Sequence, residues 1–96
     1  MIRSFGDYAT EDIFHGRQSG RNKRIPKTIL PALIRKLDML NAAYELKDLR
    51  VPPGNRLEEL KGDLAGFYSI RVNDQWRLIF KWTEHFADEV KLIDYH

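Results

Sequence analysis

Apolar residues recur at three- and four-residue steps before Pro52-Pro53-Gly54-Asn55 and at two-residue steps after it. A chain that changes period once, across one turn signal, reads as helices followed by strands, an α+β arrangement. Leu30, Leu33, Ile34, Leu37, Leu40 and Tyr44 share one helical face, with Arg35, Lys36, Asp38 and Asn41 opposite. Thr28 is the expected N-cap of this helix, which puts Pro31 in the first turn, where its missing N–H costs nothing. Asp7 is the expected N-cap of a shorter helix running to about Phe14 and ended by Gly16. One more short turn is expected between Tyr44 and Leu49, and Pro53 and Gly54 suit the central positions of a type II turn.

Beyond the turn, Leu57–Lys61, Gly66–Asn73, Trp76–Trp82 and Glu89–Tyr95 read as strands joined by short loops, an antiparallel meander. Met1–Phe5 is a candidate further strand. The expected architecture is two N-terminal helices packed on one face of a mainly antiparallel, twisted sheet of about four to five strands. The 96 residues, 43% of them apolar, suffice for one core and argue for a single domain over residues 1–96.

Alternation assigns the faces. Tyr68, Ile70 and Val72, then Trp76, Leu78, Phe80 and Trp82, then Val90 and Leu92 form the apolar set that the helices must cover. That leaves Arg71, Arg77, Lys81, Lys91 and Tyr95 on the other face, with Glu89 and one of Glu58 and Glu59 as its only acids. A cationic surface with a Tyr suits RNA, since guanidinium and ammonium groups meet phosphates and aromatic planes stack on bases. An exposed antiparallel face is also often simply polar.

Charge is uneven along the chain. Residues 1–50 hold ten Lys/Arg against six Asp/Glu, whereas residues 51–96 hold six against eight. Arg17, Arg21, Lys23, Arg24 and Lys27 follow one another with no acid between them, which favours an anionic partner, either nucleic acid or an acidic protein segment. The absence of Cys excludes disulfides, thiolate metal sites and a Cys nucleophile. No apolar run approaches the roughly 18 residues of a membrane span, and Met1–Asp7 has no apolar signal segment, so no membrane contact and a cytoplasmic location are expected. Phosphate-binding glycine loops and His-Glu-x-x-His are absent, and His15, His85 and His96 are dispersed, so no metal or cofactor is expected. Asp94-Tyr95-His96 places an acid, a phenol and an imidazole in a row beside the cationic face, all capable of proton transfer. Taken alone, a terminal His reads first as a frayed end or a tag remnant.

Four ordered motifs make the chain resemble a known family: Pro52-Pro53-Gly54-Asn55-Arg56-Leu57-Glu58, Leu60-Lys61-Gly62-Asp63, the stretch Tyr68 to Arg77, and Asp94-Tyr95-His96. Together with Met1–Phe5 and the helix around Arg35-Lys36-Leu37, they are similar to the HigB toxins, the plasmid-maintenance-killer branch of the RelE/ParE superfamily, with GraT-like members nearest. The resemblance implies a type II toxin that acts as a ribosome-dependent endoribonuclease. Such a protein enters the decoding A site of the 30S subunit, cuts translated mRNA and is countered by a helix-turn-helix HigA-type antitoxin. It implies phosphate stabilisation by Lys61 and Arg77, and a functional C-terminal Asp94, Tyr95 and His96. Glu58 or His96 would be the general base. Arg56, Arg71, Lys81 and Lys91 would hold neighbouring phosphates, and the Arg17–Lys27 stretch would contact ribosomal RNA or the antitoxin. Competing expectations are a ParE-like protein that poisons DNA gyrase without cutting, and an attenuated homologue that only binds.

Overall fold

A computed structural model of the chain describes residues 1–17 and 20–95. Among them are two α-helices, α1 (Tyr8–Phe14) and α2 (Leu30–Ala42), followed by four strands, β1 (Glu58–Glu59), β2 (Tyr68–Arg71), β3 (Trp76–Thr83) and β4 (Phe86–Asp94). The strands form one antiparallel sheet in the order β1-β2-β3-β4, the expected α+β meander. Met1–Phe5 runs parallel beside β4 through bridges at Ile2–Ala87 and Phe5–Val90, so the chain's first residues border the last strand.

Asp7 caps α1 as expected, its carboxylate accepting from the Thr10 N–H at 2.9 Å. Gly16 follows at φ +71, a conformation that favours glycine. The start of α2 differs from expectation. Lys27–Ile29 already winds as a 3-10 turn, so Thr28 lies inside helical backbone and cannot cap; Ile29 takes the cap position with no side-chain hydrogen bond. Leu33, Leu37 and Leu40 are fully buried, and burial of each stabilises the fold by about 1.5–3 kcal/mol. Ile34 and Tyr44 leave the core, at 44% and 63% exposure. Ile34 sits on the flank of the stripe, and the helix ends before Tyr44, which stacks on His85 at 3.8 Å.

The loop between the layers is also tighter than the type II turn expected. Leu46–Arg50 and Pro53–Asn55 are 3-10 turns, the Val51–Pro52 peptide is cis, and the left-handed residue is Arg56 (φ 46, ψ 56) rather than Gly54. Pairing of β1 is confined to Glu58 opposite Ser69 and Glu59 opposite Tyr68, shorter than the Leu57–Lys61 strand expected. β4 begins three residues earlier than expected because a bulge at Glu89 (φ 53) breaks the alternation, leaving Ala87 and Val90 both fully buried.

The core lies between the helices and one sheet face: Leu33, Leu37 and Leu40 meet Ile70, Leu78, Phe80, Val90 and Leu92. Strand register carries Arg71 opposite Arg77 and Arg77 opposite Ile93 on the other face. No helix among the described residues is long and apolar enough to cross a membrane.

Candidate functional site

Arg77 is the centre of the site. It stands in the middle of the sheet on β3, facing away from the helices, and is only 7% exposed. Its Nη1 donates to Glu58 Oε1 at 2.5 Å, its Nη2 donates to the Arg56 carbonyl at 2.9 Å, and its guanidinium lies 5.5 Å from the centre of the Tyr95 ring. Its Nε is buried with no hydrogen-bond partner among the described residues. Three separate segments therefore converge on the cation that β3 carries. The left-handed turn at Arg56 aims a carbonyl at it, β1 supplies the acid and the residue after β4 the ring.

Arg56, Glu58, Arg71, Asn73, Asp74, Arg77 and Tyr95 line a concavity of about 170 Å³. Sites that enclose a whole small molecule span about 300–1,000 Å³, so this one is suited to a single group of a larger ligand. Three guanidiniums face two carboxylates there, and each acid has a cation: Glu58 holds Arg77, and Asp74 holds Arg71. The turn that presents Asp74 is set by Asn73, whose Oδ1 accepts from the N–H groups of Gln75 and Trp76 at 2.9 and 2.8 Å. The face is thus not the nearly acid-free cationic surface that alternation suggested. Two of its three guanidiniums are paired within the molecule, so an anion that reaches Arg71 or Arg77 exchanges with a carboxylate rather than meeting a bare cation.

The other residues singled out from the sequence are scattered around this centre. Lys61 is exposed at the start of the 3-10 turn Gly62–Leu64, outside the concavity's lining. Lys81 pairs with Glu89 at 3.0 Å and lies 5.2 Å over the Phe67 ring. Lys91, opposite Ile79, is half-buried, and its methylenes cover Gly6, where an added Cβ would lie 3.1 Å from Lys91 Cδ. Asp94 pairs with Trp76 across the strands and accepts from Gln75 Nε2 at 3.0 Å. His96 lies outside the described residues.

The basic stretch is less free than its composition suggests. Arg17 and Arg21 pair at 3.3 and 3.1 Å with Asp12, which is fully buried on α1. Arg24 reaches Asp7 at 3.2 Å and lies 5.9 Å from the Trp76 ring. Lys23 and Lys27 remain exposed beside a separate groove of about 720 Å³ floored by Ile13, Ile25, Leu30 and Ile34 on the helical side. Sequence reasoning missed Asn73, Asp74 and the buried Asn55; the Asn73-Asp74 turn signal was visible, but its place beside Arg77 depends on strand register.

Comparison with known proteins bears on the family and the fold. Residues 3–96 match the model of a family described as the RelE-like toxin of the type II toxin-antitoxin system HigB. The chain is 55% identical over 87 residues to Toxin HigB-1 of Vibrio cholerae serotype O1, covering 91% of this chain and 90% of that one. It is 28% identical over 96 residues to Endoribonuclease HigB of Proteus vulgaris, covering both chains completely. YafQ from E. coli strain BL21(DE3) shares the fold at a TM-score of 0.63 and 17% identity, over 98% of this chain and 93% of that one.

Proposed function

Since the chain belongs to the HigB-like family of type II toxins, we propose that it is a ribosome-dependent endoribonuclease acting on translated mRNA, with Arg77 at its reacting centre. The observation that carries this reading is the near-buried guanidinium, held by Glu58 and the Arg56 carbonyl in a concavity sized for one phosphate group. RNA carries its own nucleophile. The ribose 2′-oxygen attacks phosphorus, the bond from phosphorus to the 5′-oxygen breaks, and a cyclic phosphate and a free 5′-hydroxyl result. The reaction needs a base for the 2′ proton, positive charge for the equatorial oxygens and an acid for the departing oxygen.

Arg77 supplies the charge, with Arg71 and Arg56 on the flanking phosphates. Glu58, half-exposed and beside Arg77, is the base when its carboxylate gives up the guanidinium to the phosphate; His96, following Tyr95 directly, is the acid. The reverse assignment, His96 as base, uses the same two groups. Tyr95 orients the substrate against the guanidinium, and Asp94 holds the turn at Gln75 beside it. Lys61, Lys81 and Lys91, outside the concavity, meet phosphates further along the strand. Lys23, Lys27 and the Arg17–Arg24 cluster contact the ribosome or a HigA-type antitoxin.

The test adds purified protein to 30S–50S ribosomes programmed with a defined mRNA and maps ends by primer extension. Cuts inside translated codons, absent with Arg77→Ala, are expected. Intact transcripts, or equal cutting of naked RNA, would overturn the reading, and gyrase-dependent DNA breaks without RNA cuts would replace it with the ParE-like one.

A further inference from the structure

We infer that Asn55 is a positioning residue for this site: by locking the loop from Leu49 to Arg56 onto α2, it fixes the carbonyl and carboxylate that hold Arg77. The inference rests on the proposed role of Arg77. Asn55 is fully buried, although Asn is mostly found at the surface. Both ends of its amide are used. Oδ1 accepts from Lys36 Nζ on α2 at 2.5 Å, while Nδ2 donates to the Leu49 carbonyl at 3.1 Å and contacts the Val51 carbonyl at 3.5 Å and Met39 Sδ at 3.1 Å.

The next residue is Arg56. Its left-handed backbone, which a non-glycine side chain adopts at a cost, points its carbonyl at Arg77 Nη2. Two residues on, Glu58 closes the clamp at Nη1. β1 contributes only two paired residues at the sheet edge; the buried Leu49 packs one end of the segment into the core, and Asn55 ties the other end to α2. The amide of Asn55 therefore transmits the position of α2 to the guanidinium. Lys36 deepens the link. Burial, then Arg35 and Arg71, hold its ammonium below the usual lysine range.

The experiment reads Arg77 directly. In the full chain labelled with nitrogen-15, rotation about the Arg77 guanidinium is expected to be slow, giving separate Nη1 and Nη2 signals. In Asn55→Ala and in Asn55→Asp, which keeps an oxygen for Lys36 but loses the donor to Leu49, that rotation should speed up at least tenfold and the signals merge. Cutting on programmed ribosomes should fall at least tenfold through kcat rather than KM. Lys36→Met, which spares the loop's own bonds, serves if the Asn55 variants do not fold, and it too should merge the signals. Separate Arg77 signals in the folded variants would overturn the inference. The signals decide it even if the wild-type protein cuts no RNA, a result that would fall on the nuclease reading alone.

Discussion

The ion pair between Arg77 and Glu58 is asymmetric, with side-chain exposures of 8% and 50%. Removing the buried partner leaves a carboxylate that water can solvate, whereas removing the exposed one leaves a buried cation short of an acceptor. Arg77→Ala is therefore expected to fold, with an intact circular-dichroism spectrum, yet to lose about 100- to 1,000-fold in cutting rate, the usual cost of deleting one transition-state donor. Glu58→Ala is expected to lower stability by about 1–3 kcal/mol in urea titrations, more than Glu58→Gln, which keeps an acceptor. The alternation from Tyr68 to Arg77 was enough to place Arg71 and Arg77 on one face. It could not show that Glu58, nineteen positions from Arg77 in sequence, closes on it. That contact requires the register of β1 on β2, which two paired residues leave no periodic trace of. Asn55 was hidden for a related reason: a polar residue beside Gly54 looks like ordinary turn chemistry until the carbonyls and the lysine around it are seen.

Elements were legible where one local rule decided them. The leucine stripe of α2 and the Asp7 cap of α1 followed from spacing and from a single side-chain bond. Leu37→Ala should cost about 2–5 kcal/mol, because the site is fully buried and the sheet behind it cannot close the void. Asp7→Ala should cost about 1 kcal/mol in thermal unfolding through the lost cap. Boundaries that depend on neighbours were not legible. The 3-10 entry to α2 displaced the expected Thr28 cap, and the bulge at Glu89 concealed the first half of β4 because three-residue spacing between Ala87 and Val90 breaks a period of two. The basic stretch misled in the same way. Asp12 is buried, so its charge must be met, and Arg17 and Arg21 meet it from the surface while staying more than half exposed.

Across the whole molecule, the two ends of the chain are tied together. Ser4 and Gly6 exchange backbone hydrogen bonds with Val90, and the Arg3 guanidinium, hydrogen-bonded to Asp88, holds that carboxyl below the usual carboxylate range. A carboxyl depressed in the native state adds stability that is fully present above about pH 4 and is lost as pH falls through its native value. Asp88→Asn should flatten that part of the acid limb when melting temperature is followed against pH. Overall class and layer order could be read from the period change alone, but the closure of residue 2 on residue 87 could not, since no local pattern encodes a pairing that long. Deleting residues 86–95 would therefore also strip Met1–Phe5 of its bridge partners, so damage at one end of this seam is felt at the other.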